Sequence, residues 1–87
     1  MKSRVTHDFR DGFAKLPKHV QQQARRNYRR WKSNPSHPGL QFKKVHAGEN
    51  VNSVRVGIGW RALYYLEADV YTWFWIGSHA DYDKLLG

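Results

Sequence analysis

Three short apolar runs, Val54–Ile58, Ala62–Leu66 and Val70–Ile76, dominate the second half of the chain. The last, VYTWFWI, is β-branched or aromatic at every position, and its length suits a strand better than a helix. Gly59 separates the first two runs and Glu67–Asp69 the last two, so a hairpin is expected with a further strand beside it. Leu40–Val45 (LQFKKV) reads as a strand and His46–Asn52 as a polar loop. Near the N-terminus, Val5, His7 and Phe9 alternate with Arg4, Thr6 and Asp8. Ser3–Phe9 therefore suits a half-exposed first strand with His7 partly buried on its apolar side. Asp8 is placed to cap a short helix from Phe9 or Arg10 to Lys15, with Phe13 and Leu16 as its stripe. Pro17 fits the first turn of a longer helix. In that helix Val20, Ala24, Tyr28 and Trp31 recur at helical spacing, and Asn34-Pro35 with the Ser-His-Pro-Gly that follows ends it. Asp81–Leu86 is expected to form one or two helical turns, with Leu85 and Leu86 packing back.

These elements predict an α+β fold of order β-α-α-β-β-β. It is a small, antiparallel-rich sheet with two N-terminal helices on one face and a short C-terminal helical tail. The 87 residues are expected to form one domain spanning 1–87. The two-helix excursion allows the first strand to join the sheet away from its sequence neighbours. Both sides of Tyr71–Ile76 are largely apolar, so the face away from the helices should be covered in part by the tail or a partner.

Composition narrows the functional classes. Cysteine is absent, which excludes disulfides and thiolate metal sites. No apolar run is long enough to span a bilayer, and the first residues lack a signal-peptide core, so a soluble, cytoplasmic protein without membrane contact is expected. Fifteen Lys and Arg against seven Asp and Glu give a net charge of +8, which favours a polyanion or an acidic protein as partner. Much of that charge lies in RRNYRRWK, where Arg26 and Arg30 fit either an RNA-binding helix or a solvated helix face.

The seven carboxylates form no inward-pointing pair for a two-metal nuclease, and the five His lack zinc-ligand spacing. GIG at 57–59 is not followed by the helix a nucleotide-binding loop needs. No metal or nucleotide cofactor is expected. What remains is metal-free phosphoryl chemistry, or binding alone. RNA carries its own nucleophile in the 2′-hydroxyl, so a protein need only position it, move protons and neutralise the phosphorane. An Arg fork suits the last task, and His79, close to the strands bearing Arg55 and Arg61, suits the proton transfers. Tyr82 lies three residues on, on the same side if the tail is helical.

SVRVGIGWRALYY followed by WFWIGSHADYDKLL, with LQFKKV before them, resembles the RelE/ParE superfamily of bacterial toxins over nearly the whole chain. That resemblance implies a compact sheet with two N-terminal helices and neutralisation by a cognate antitoxin. It further implies, for RelE-type members, metal-independent cutting of messenger RNA on the ribosome as an endoribonuclease, and for ParE-type members poisoning of DNA gyrase. An inactive binding module of the same fold is the third reading. Under the first, Arg61 matches the arginine that holds the scissile phosphate, and Arg55 a basic position on the preceding strand. His79 falls where the nucleases place a catalytic Arg or His, and Tyr82 near a C-terminal tyrosine. Lys43, Lys44, His46, Arg26 and Arg30 become RNA-binding candidates, and Trp73 and Trp75, expected on one side of the last strand, become antitoxin-binding candidates. Two departures stand out. Gly57 follows Arg55 where RelE itself has a second lysine, and no glutamate stands near Leu40 or Gln41 as in the YoeB-like branch. The general base is thus open between His46 and His79.

Overall fold

A computed structural model describes residues 2–33, 43–46 and 51–86. The first strand, β1 (Lys2–Val5), is shorter than its alternation suggests, because Thr6 starts a helix. The Thr6 hydroxyl accepts from the Phe9 N–H at 3.1 Å, satisfying one of the unpaired amides of α1 (His7–Ala14). Asp8, expected as the cap, lies instead in the first turn, where its charge complements the helix dipole. His7 consequently sits on a helix and not on a strand. Its side chain is 87% exposed and 3.3 Å from Asp11, so the expectation of partial burial is corrected.

Helix α2 (Lys18–Ser33) follows Pro17, whose carbonyl accepts from the Val20 and Gln21 amides. Gln21 turns back and donates to the carbonyls of Phe13 and Leu16, at 3.1 and 3.2 Å, which ties the end of α1 to the start of α2. Val20 and Trp31 of the expected stripe are buried, Ala24 is partly so, and Tyr28 lies at the edge. The Asn34-Pro35 stop and the Leu40–Phe42 part of LQFKKV lie outside the described residues.

Four more strands complete a five-stranded sheet: β2 (Lys43–His46), β3 (Val51–Arg55), β4 (Trp60–Glu67) and β5 (Val70–Ser78). The expected order counted one strand fewer. The order across the sheet is β1-β5-β4-β3-β2, with β1 parallel to β5 and every other pair antiparallel. β3 begins earlier than its apolar run and stops before Gly57 and Gly59, whose φ values of 63° and 87° turn the chain. Ile58, at the tip of that turn, is therefore 87% exposed.

Both helices cover one face. There Trp31, 1% exposed, meets Tyr71 and Trp73 edge-on at 4.9 and 5.1 Å, and Tyr64 packs against all three. Such pairs contribute roughly 0.5–1.5 kcal/mol each beyond the area they bury. α1 approaches β5 so closely that a Cβ on Gly12 would stand 2.9 Å from the Ile76 carbonyl oxygen.

A register shift alters the last strand. Leu63 pairs with Trp75 but Tyr64 with Trp73, so Phe74 is an extra residue on β5. The bulge breaks the two-residue alternation: Trp73 faces the helices, and Trp75 shares the other face with Leu63. The two tryptophans do not lie on one side. That second face is partly covered by α3 (His79–Leu86), as foreseen for the tail. Its anchor differs, however. Tyr82 is 5% exposed against the sheet, while Leu85 is 52% exposed and the Leu86 side chain lies outside the described residues.

Candidate functional site

The register of β3 and β4 sets Arg55 directly opposite Arg61. Like charges opposed across strands destabilise a sheet, so each guanidinium must be held apart or serve an anion. Both have their Nε committed to the chain. Arg55 donates to the Gly57 carbonyl at 3.1 Å, and Arg61 donates to the hydroxyl of Ser53, a residue with 0% exposure. The Arg61 guanidinium also lies 5.3 Å from the centre of the Tyr82 ring.

Helix α3 brings the remaining group. It starts immediately after β5, with the His79 N–H donating to the Gly59 carbonyl at 2.7 Å and the Ser78 hydroxyl accepting from the Asp81 N–H at 3.1 Å. The i,i+3 spacing stacks His79 on Tyr82, ring centres 5.8 Å apart and planes at 20°. The imidazole is 56% exposed, with Nε2 3.6 Å from the Asp83 carboxylate. Trp75 closes the inner side of Tyr82 at 6.3 Å, its ring lying over Gly77, where a Cβ would come within 2.8 Å of it.

Arg55, Arg61, His79 and Tyr82, expected together from sequence, are thus gathered at one end of the second face. Their exposures differ. His79 is open to solvent and both arginines are half-buried, whereas Tyr82 is buried and its hydroxyl has no hydrogen-bond partner among the described residues. Tyr82 serves as the platform on which the Arg61 guanidinium and the His79 ring both rest.

Two residues of this end escaped the sequence reading. Asn27 is buried in the helix stripe, and its Nδ2 donates to the Arg55 carbonyl at 3.1 Å. Gln23 donates to Asn27 at 3.0 Å and accepts from Arg26 at 2.6 Å. A polar residue falling between Ala24 and Trp31 on an apolar stripe was the available signal, since a buried amide needs a partner. Ser53 is the second, legible only once strand register places it beside Arg61.

The other expected residues are more scattered. Arg26 and Arg30 lie exposed on α2, in the helical layer, and Arg26 reaches Arg55 only through the Gln23–Asn27 amides. The backbone of Lys43, Lys44 and His46 lies on β2, with Lys43 aligned with Ser53, but their side chains lie outside the described residues. Trp73 is 5% exposed and lines a groove of about 450 Å³ between the helices and the sheet, with Arg25 and Arg29 also bordering it. His7, Asp8 and Asp11 do bring ligand atoms within 4.8 Å of one another, but on an exposed turn of α1. Tyr64, in the aromatic core, has its phenol pKa pushed far above the usual range, first by burial and then by Tyr71.

The ParE-like toxin domain matches residues 18–84. The chain belongs to that family. This toxin domain takes in α2, the whole antiparallel part of the sheet and the Arg55–Arg61–His79 end. Among solved structures, the chain is similar to the RelB–RelE antitoxin–toxin complex from Methanococcus jannaschii, at 14% identity and a TM-score of 0.77, covering 95% of this chain and 98% of that one. YafQ from E. coli strain BL21(DE3) matches at 12% identity and 0.73, covering 93% and 96%. A YoeB/ParE toxin from Agrobacterium tumefaciens matches at 14% and 0.73, covering 91% and 99%. At such identities the likeness is one of fold, and it is the RelE/ParE fold expected from the sequence. No curated protein matches the chain. Among the described residues no helix is long and apolar enough to cross a membrane.

Proposed function

We propose that this protein is the toxin of a type II toxin–antitoxin system and cuts messenger RNA on the ribosome as a metal-independent endoribonuclease. The observation that carries this reading is the convergence of Arg55, Arg61 and His79 at one end of the face opposite the helices. The 2′-hydroxyl attacks the adjacent phosphorus, and the bond to the 5′-oxygen breaks. Arg61, fixed by Ser53 and the Tyr82 ring, is aimed before substrate arrives, and a preset donor is what best stabilises charge developing in a transition state. Arg55 adds a second positive charge across the strands. His79, exposed and stacked, moves the proton from the nucleophile or to the leaving oxygen.

The cognate antitoxin is the second partner in this reading. The groove containing Trp73 offers its apolar anchors a seat, and Arg25 and Arg29 favour an acidic, amphipathic helix. Trp75 lies on the opposite face against Tyr82, so a partner touching both tryptophans must wrap around the domain.

A second reading, inhibition of DNA gyrase without RNA cleavage, is favoured by the ParE-like description of the matching family. Primer extension on a translated messenger, run beside a plasmid assay with gyrase, separates the two. Cuts within codons at the ribosomal A site support the ribonuclease. An uncut messenger with gyrase-linked DNA breaks supports the second reading.

A further inference from the structure

Helix α3 covers only part of its face of the sheet. Beyond it, β1, β5 and β4 leave a depression of about 290 Å³ lined by Arg4, Tyr65, Glu67, Ala68, Val70 and Thr72. The register explains the grouping, since Arg4 and Tyr65 are both paired with Thr72, one from each side. Tyr65 is backed by Phe74, which lies beside the depression without lining it, ring centres 5.7 Å apart and planes at 40°, both half-buried. The bulge at Phe74 keeps that ring on this face. Arg4 is exposed, its Nε donates to the Thr72 hydroxyl at 3.0 Å, and it forms no ion pair among the described residues. Its Nε hydrogen bond sets the guanidinium plane and leaves the two terminal nitrogens as a fork, the geometry that grips two phosphate oxygens.

Aromatic rings beside a fixed arginine form a stacking platform with a phosphate clamp, the combination that binds single-stranded nucleic acid. The platform lies on the same face of the sheet as the site already described. Arg61 and Tyr65 are four residues apart on β4, roughly 14 Å at ~3.4 Å per residue. Stacked nucleotides advance ~3.4 Å each, so one strand running along this face reaches the depression about four nucleotides from the phosphate at Arg61, or fewer if extended. Glu67, at the far wall, repels a further phosphate and ends the track.

We propose that this depression is a remote nucleotide site, in which Tyr65, backed by Phe74, stacks a base of the RNA flanking the scissile phosphate and Arg4 grips a neighbouring phosphate. The proposal rests on the ribonuclease reading for its substrate, and binding without cleavage tests it separately. The probes are a fluorescent 2′-O-methyl hexanucleotide and the matching dinucleotide, neither of which can supply the attacking hydroxyl. Arg4→Ala is expected to weaken the hexanucleotide about 5- to 10-fold and reduce its salt slope by about one, leaving the dinucleotide unchanged. Phe74→Leu, which keeps apolar volume, is expected to weaken the hexanucleotide at least about 5-fold through lost stacking. Lys18→Ala, which removes one exposed charge at the start of α2, sets the effect of net charge alone. Equal losses for Arg4→Ala and Lys18→Ala, or equal losses for both probes, overturn the proposal. If the length-dependent losses persist while no messenger is cut, the nucleotide site stands and the ribonuclease reading falls. Cutting without those losses has the reverse meaning.

Discussion

The two faces of one sheet are built from alternate residues of the same strands, yet they are packed on different terms. On the helix side, Trp31, Tyr64, Tyr71 and Trp73 fill space with one another, and the helices make the contacts. On the other side, Arg61, Ser53, Tyr82 and His79 meet through one hydrogen bond, one cation–π contact and one ring stack, leaving charge near the surface. The contrast shows a division of labour: the first face supplies the aromatic core between helices and sheet, and the second adds fixed charged groups to the apolar cover that Leu63, Trp75 and Tyr82 give it. Substitutions on the first should cost stability, and substitutions on the second should cost activity.

The largest effect should come from the helix side. Trp31→Ala removes the ring at the centre of the aromatic cluster and should cost about 3–5 kcal/mol, enough to unfold much of a domain this small, as followed by urea titration. A loss below about 1 kcal/mol would place the core elsewhere. Gly77→Ala probes the boundary between the two regimes. Its new Cβ meets the Trp75 ring, which must shift and disturb the Tyr82 platform. Overpacking of this kind costs roughly 1–3 kcal/mol, and the melt should fall together with cleavage. Retention of both would show that Trp75 does not support the platform.

Alkaline titration separates the faces by chemistry. The Tyr64 phenol has a folded pKa raised by burial above its unfolded value of about 10, so it is neutral in the fold and ionises more readily when unfolded. Its contribution is full below about pH 10 and is lost as pH rises from there towards the folded pKa, at about 1.4 kcal/mol per pH unit. Tyr64→Phe should flatten that decline in a denaturation series. An unchanged slope assigns it to other groups. The smallest effect comes from the turn at the edge of the sheet. Ala68 and Asp69 turn the β4–β5 hairpin with φ of 51° and 64°, the left-handed region where a Cβ is strained. Ala68→Gly should stabilise by about 1 kcal/mol, raising Tm by roughly 4–8 °C. A lower Tm would contradict the strain.

Legibility followed the same division. Helix α2 was readable because Val20, Ala24 and Trp31 repeat with the helical period, and β4 and β5 because their runs are apolar and short. The meeting of Arg55, Arg61 and His79 could be anticipated because the strands carrying them are consecutive and His79 follows the last. Local polar chemistry was harder. Thr6, not Asp8, captured the helix amide, which shortened β1 and moved His7 to the surface. The bulge at Phe74 leaves no mark in a run that is apolar at every position, so Trp73 and Trp75 read as neighbours on one side. Asn27 and Ser53 act through partners 28 and 8 residues away, and only tertiary register reveals them. Tyr82 was expected beside Arg61 and His79, and the structure buries it beneath the guanidinium of one and the ring of the other.

The central claim is that Arg61 and His79 perform the cleavage chemistry without being needed for the fold. Single-turnover cleavage on pre-bound ribosomes, measured beside a thermal melt, tests it most directly. Arg61→Ala should slow cleavage about 10²–10³-fold, and Arg61→Lys should recover only part, since an ammonium offers a point charge in place of a fork. His79→Ala should slow it about 10²–10⁴-fold. Ribosome binding and Tm should remain close to those of the unaltered protein in all three. Folded, ribosome-bound variants that cut at the original rate would contradict the account.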